Sequence, residues 1–575
     1  MPNKVFYYRL IPVIITLIAL AIWLQPAFFQ RTAGINLPDG QLPQLSKPFV
    51  VTKPCLDEHP EWRAAQTIDA VTMAESLLCE PDNPYNIAAS VKGMNNISMR
   101  TLMNTHMAED ALIKSDDLDG DGDPDIIRIK LEVLELNGAT PDSPNVFPTY
   151  DIAPGIQPGM WAFSPKLRGM SVKNFRSNKA NAILRAPSPV IRIEQGDKVY
   201  ITLENTHYFP HTLHFHGVDH AFQTLNGGDN DGVPITGEKP VMPGAIRTYE
   251  LQPRHAGTML YHCHVQTDKH LLMGLNGMFV VEENRPNNWV QTFNIGAGQV
   301  RYSSVAIKEK YDREYDLHYQ SIDKNLAKTI QESNDIREIS KQMHRVYNMS
   351  ESNENYFMLN GHSFPYTLRD SLIIAKPNEN IKLRLLNTQH SGIAVHIHGH
   401  KATITDYDGV TQNPAAQITR DVYNLSAAQR IDLHLQTTND GLHSYGEGIW
   451  LFHDHVETGV ANDGISPGGN MALMVYESML NPNGMPIIRK DALDDVLTNS
   501  YQNKEKPQWG KKDPGMLAPD YVHLILWGLL VGLIFPPLRF FFVLVTVDVN
   551  AFAKALRSLK GTKCKGTTFI HTLHF

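Results

Sequence analysis

Cysteine is scarce in this chain of 575 residues: there are four, Cys55, Cys79, Cys263 and Cys564. Their spacings match no zinc-finger or CxxC redox pattern, which excludes a site built on paired thiols. Cys55 and Cys79 are candidates for a disulfide in an oxidising compartment. Charge is also sparse, at 19% charged residues and a formal net charge of -8, with no long run of one sign. No basic stripe with interleaved aromatics is present, so no nucleic acid is expected as a partner. No methionine-rich segment occurs either. Apolar residues make up 42%, which fits a folded chain with ample core and not a disordered one.

Long apolar runs are few. One is Leu10 to Leu24, preceded by Lys4 and Arg9. It is short for a bilayer span, though Pro26 to Phe29 can extend it. The other is Tyr521 to Leu538, continued by Phe540 to Val547 and interrupted by Pro536, Pro537 and Arg539. Lys554, Arg557, Lys560, Lys563 and Lys565 follow it. The basic flanks predict tails inside and body outside. These readings give an N-terminal membrane anchor or signal segment at 1–30, a C-terminal membrane segment at 521–547 and a basic cytoplasmic tail at 548–575. The expected location is the cell membrane, with the folded body on the periplasmic or extracellular side.

Between the ends, residues 31–125 read as a mixed insertion, with a helix-like apolar spacing over Glu61 to Leu78. Its end, DLDGDGDPD, carries Asp117, Asp119 and Asp121 around a turn glycine. Alternating aspartates of this kind resemble the start of a calcium loop, which makes calcium a candidate ion. The twelfth position, where a glutamate belongs, is Arg128. From 126 the pattern changes to short β-type segments separated by Gly, Pro, Asn and Asp, and the same order recurs after 355. This is sandwich logic. It predicts an all-β body of two Greek-key domains, 126–283 and 284–482, with a charged insertion within 305–350 and a linker at 483–520.

The 25 histidines are more informative than the charge. Four His-x-His pairs stand out: His214–Phe215–His216, His262–Cys263–His264, His396–Ile397–His398 and His453–Asp454–His455. Alternate residues of a strand share a face, so each pair presents two imidazoles to one place. A strand core would use valine or leucine there, because buried imidazole nitrogens need partners. Eight neutral nitrogens suit several copper ions better than one structural zinc, and three ions are a natural count for them. Cys263 points to the opposite face from its flanking histidines. With His211, His270 and a weak axial group from Met273 or Leu275, it forms the ligand set of a blue-copper electron-transfer site. The second half lacks this set: Asp454 stands in place of the cysteine and Ile393 in place of His211.

PHTLHFHGVDH (210–220), YHCHVQTDKHLLMGLNGMFVV (261–281), AVHIHGH (394–400) and WLFHDH (450–455) resemble the multicopper oxidases. The resemblance is greatest to the two-domain, laccase-like members related to copper nitrite reductases. It extends over roughly residues 160 to 480. It implies two cupredoxin-like domains, with type 1 copper in the first, and four copper ions per chain. His211, Cys263 and His270 would hold type 1 copper, with Leu275 at the usual methionine position and Met273 as the alternative. His214 and His396 would hold type 2 copper. His216, His262, His264, His398, His453 and His455 would hold the coupled type 3 pair. The resemblance also implies a homotrimer with trinuclear sites between chains, here membrane-anchored. Asp219 would handle protons. The expected activity takes single electrons from an unidentified donor and reduces dioxygen to water. The alternatives are a copper nitrite reductase producing nitric oxide, or a non-catalytic cupredoxin electron carrier.

Overall fold

The computed structural model describes residues 108–139, 150–167, 186–300, 311–488 and 498–504, apart from single positions, together with two short strands near residue 70. Its main body is sheet. The chain alternates in the manner of half-buried strands: in Lys198–Glu204, Val199, Ile201 and Leu203 are buried, while Lys198 is exposed and Tyr200, Thr202 and Glu204 are half-buried. That period fixes which face of each strand joins the core.

Four of these sheets form two sandwiches. In the first, one sheet runs Leu112–Ser115, Ile126–Leu136, Lys198–Glu204, Ile246–Leu251, with Met160–Pro165 also pairing Ile126–Leu136. The facing sheet runs Phe293–Asn294, Val190–Glu194, Asn276–Glu282, Gly257–His262, His214–His216. Ile129, Leu131, Val133, Ile191, Ile193, Phe279 and Val281 fill the space between them. The second sandwich repeats the plan. Arg313–Asp323 lies parallel to Asn380–Asn387, as Ile126–Leu136 does to Lys198–Glu204. Ile373–Ala375 lies parallel to Ala472–Tyr476, as Val190–Glu194 does to Asn276–Glu282. Its core contains Leu317, Ile381, Leu383, Val395, Phe452 and Met474.

A buried charge network joins the sandwiches. Arg192 pairs with Glu282 on its own side and with Glu314 and Asp316 across the boundary. Arg384 bonds Thr258 Oγ1 and Asp432, each at 2.8 Å, and also Glu314. Burial alone would raise the Glu314 carboxyl, but the Arg384 and Arg192 guanidiniums hold it well below the carboxylate range.

The second sandwich also lends a segment to the first. After Arg313–Asp323 come the helices Lys324–Lys328 and Ile336–Lys341 and a π turn, Gln342–Val346. Asp323 and Asp335 cap the two helices by accepting backbone N–H groups. Ile339 and Met343 of this segment are buried in the first core.

Two expectations are corrected. Among the described residues no helix is long and apolar enough to cross a membrane. The membrane segments at 1–30 and 521–547 lie outside the described residues, as do the tail at 548–575 and Cys55, Cys79 and Cys564. The first run falls short of the ~20 apolar residues a span needs, and prolines and an arginine break the second. The terminal membrane segments, the anchoring and the cell-membrane location with its periplasmic or extracellular side are withdrawn. The helix-like spacing over Glu61 to Leu78 instead contains the antiparallel strands Gln66–Ile68 and Val71–Met73. Their β-branched residues favour the pleated form over a helix.

Candidate metal centres

The sulfur centre is assembled from three loci of the first sandwich. His211 lies just before His214–His216 and is tied to Val241 by backbone bonds in both directions. Cys263 follows Gly257–His262, and His270 sits on the short helix Thr267–Leu272. The Cys263 sulfur lies 3.6 Å from His211 Nδ1 and 3.4 Å from His270 Nδ1. An ion among them could make bonds of about 2.0–2.3 Å, the lengths imidazole and thiolate form to divalent zinc. All three residues are fully buried. Burial pushes the Cys263 thiol up to about 11. Burial, and then neighbouring imidazoles, hold His211 and His270 well below the usual histidine range. Both rings are therefore neutral, as metal ligands must be, and a thiolate here requires a bound cation. Leu275 and Met273 are also fully buried. The Leu275 carbonyl accepts from Cys263 N, whereas the Met273 carbonyl accepts from Trp161 N.

A second layer of histidine surrounds this centre, and the sequence reading did not single it out. His207 Nδ1 lies 2.9 Å from His211 Nε2, and His344 Nε2 lies 3.3 Å from His270 Nε2. Glu135 stands 3.7 Å behind His207 and also accepts from Trp161 Nε1. His207 could have been found from its spacing of four residues to His211. His344 gave no local signal, since its segment folds back from 74 residues beyond His270.

The eight paired histidines form two matched sets. In the first, His214 faces His262 across adjacent strands. His216 Nε2 approaches His262 Nε2 to 3.0 Å, and the His264 ring lies 5.2 Å from that of His214. In the second, His396 faces His453, His398 Nε2 approaches His453 Nε2 to 3.1 Å, and the His455 ring lies 5.7 Å from that of His396. The outer nitrogens are tied back alike. His214 Nδ1 and His396 Nδ1 each lie 2.8 Å from a carbonyl, of Asp231 and Asp421. His262 Nδ1 and His453 Nδ1 each lie 2.9 Å from the carbonyl of the next residue. Such bonds fix tautomer and ring direction and leave Nε2 for a metal. Two nitrogens about 3 Å apart fit two bonds of about 2 Å to one ion. Burial lowers His216 to about 4 and His262 to about 3. Among the described residues, no group of mutually close ligand atoms mixes the two sets.

Asp219 and Asp231 occupy different surroundings. Asp219 pairs with Arg254 at 3.0 Å, and that side chain holds its carboxyl below the usual range. Asp231 Oδ1 lies 3.5 Å from His214 Nδ1 and 3.2 Å from His220 Nε2. Gly232 makes this approach possible: at φ +75°, a Cβ there would stand 1.9 Å from the Leu213 carbonyl oxygen. The turn run Asn230–Asp231–Gly232 was the available sequence signal. Asp454 accepts from Ala394 N at 2.8 Å and Val456 N at 2.9 Å, which is a scaffolding role.

In the acidic loop, Asp117, Asp119 and Asp125 converge, and Asp121 is not part of that group. Their oxygens accept the loop's own N–H groups, such as Gly120 N to Asp117 at 2.6 Å and Asp119 N to Asp125 at 3.2 Å. Arg128 lies over the Tyr200 ring at 5.2 Å.

Two models of the multicopper oxidase family match the chain, over residues 181–286 and 338–464. Copper resistance protein A of Pseudomonas syringae pv. tomato is 22% identical over 278 residues, covering 46% of this chain and 43% of that protein. Laccase-2 of Thanatephorus cucumeris is 25% identical over 316 residues, covering 53% and 46%. The chain thus spans less than half the length of these relatives. A solved blue copper oxidase from Nitrosomonas europaea is similar at 23% identity and a TM-score of 0.45, covering 66% of this chain and 93% of that one.

Proposed function

Because the chain belongs to the multicopper oxidase family, we propose that it takes single electrons from a reductant and reduces dioxygen to water. The observation that carries this reading is the adjacency of two kinds of site. Cys263 belongs to the sulfur centre, while His262 and His264 on either side of it belong to the first histidine set. When bound, copper supplies the one-electron redox chemistry and the affinity for oxygen that no side chain here has.

In this reading His211, Cys263 and His270 would hold type 1 copper, with Leu275 as the buried apolar neighbour. Its backbone is bonded directly to that of Cys263. His214 and His396 hold type 2 copper. His216, His262, His264, His398, His453 and His455 hold the type 3 pair. Among the described residues no group of close ligand atoms mixes the two sets, so a centre using all eight imidazoles would take one set from each of two copies.

The remaining residues orient groups and move protons. Carbonyls of Asp231, Cys263, Asp421 and Asp454 hold imidazole rings in place. Asp231, not Asp219, is the carboxylate placed to pass a proton, because its Oδ1 stands between His214 and His220. Nitrite reduction is the weaker alternative, since it has no use for a complete second histidine set.

The test is oxygen uptake by the purified, copper-loaded chain with a panel of one-electron reductants. Sustained uptake with water as product supports the reading. Reduced type 1 copper with no oxygen consumed would leave only an electron carrier.

A further inference from the structure

In the oxidase reading an electron reaches type 1 copper through one of its ligand imidazoles, and the outer edge of His270 is covered. His270 is fully buried. Above it lies His344, half-buried at the surface, with ring centroids 5.4 Å apart and planes at 35°. His344 also packs on Phe209 at 5.0 Å. Its position comes from the π turn Gln342–Val346, closed by Tyr347 N bonding the Gln342 carbonyl at 2.8 Å. That turn is anchored from below by Met343 in the first core. From the side, the Tyr347 hydroxyl bonds Asp323 at 2.7 Å. A π turn is uncommon and often marks a functional position. Here it aims one imidazole at another.

The chemistry of the contact follows from the ligand atom. His270 presents Nδ1 to Cys263. With a metal on Nδ1, the neutral ring carries its proton on Nε2. That N–H points at His344 Nε2, 3.3 Å away. It is the one donor group a phenol or other organic substrate could bond at His270, and His344 already accepts from it.

Resting on the oxidase reading above, we propose that His344 determines donor specificity. It admits one-electron reductants that act across its ring without bonding His270 and excludes phenols that must bond His270 directly. In either case one electron leaves the donor, and a phenol also releases its hydroxyl proton to water. The copper held by His211, Cys263 and His270 takes the electron, Cu(II) becoming Cu(I). No bond of the protein forms or breaks.

The test compares the parent with H344A, H344S and H344F, reading those that keep type 1 absorption. H344A and H344S should raise kcat/KM for 2,6-dimethoxyphenol by about tenfold or more and leave that for hexacyanoferrate(II) within about twofold. H344F, which keeps a ring over His270, should stay near the parent. A second readout needs no turnover: electron–nuclear double resonance in D2O follows exchange of the His270 Nε2 proton. Exchange should be slow in the parent and fast in H344A. If H344A and H344S match the parent in phenol kcat/KM and in proton exchange, the proposal is overturned. A parent that takes electrons from no donor would instead sink the oxidase reading, while the exchange measurement would still report on the cap.

Discussion

Burial sets the protonation state of the groups around the sulfur centre, and this has a measurable consequence. The Cys263 thiol is pushed up to about 11, and His211 and His270 are held well below the usual range. Between about pH 5 and 9 the metal-free centre therefore carries one proton that copper must displace, on sulfur, and none on its imidazoles. Type 1 copper affinity should rise with pH by about tenfold per unit across that range, read by competition with a chelator. A flat profile would mean that the thiol is already ionised without metal. At this scale spacing carried much of the information. The side-chain alternation around Cys263 and the seven-residue step to His270 are local, so they could be read without a fold. His344 could not, and for Asp231 the turn run Asn230–Asp231–Gly232 marks a loop without its partner, because each reaches its histidine through chain folding and not through a strand or helix period.

At the scale of elements, the loop that carries Asp231 is the least expected part of the site. The strand His214–His216 places one imidazole at the edge of its sheet, and the return of the chain at Gly232 brings a carboxylate to it. D231N keeps the shape but removes the proton-carrying group. Its kcat should fall by about a hundredfold or more, as for loss of a general acid or base, with copper content unchanged. D219N should change kcat little, because Asp219 is bonded to Arg254 and not to a histidine. Equal losses in the two variants would remove the role given to Asp231. The strands themselves were legible because burial imposes a period of two. The region near residue 70 was misread because a few apolar residues at helical spacing also suit two short strands. The membrane segments fall outside the described residues, and among those described no helix is long and apolar enough to cross a membrane.

At the scale of the molecule, one sandwich plan occurs twice, but the two copies have diverged. Both keep four paired histidines and the same tie-back bonds, and only the first keeps a sulfur ligand. The charge network of Arg192 and Arg384, beside an apolar cluster in which Leu386 meets Val190, Leu260 and Met278, fixes the copies against each other, at a boundary where losing one partner of a buried pair typically costs about 3–5 kcal/mol. In the proposed reading, this arrangement would separate electron entry from oxygen chemistry while keeping them one residue apart along the chain at Cys263. The measurement that bears most directly on this account is copper content per chain, combined with electron paramagnetic resonance of the oxidised protein. The account predicts about four ions, of which about two are visible, because a coupled pair is silent. About two ions per chain, all of them visible, would contradict it.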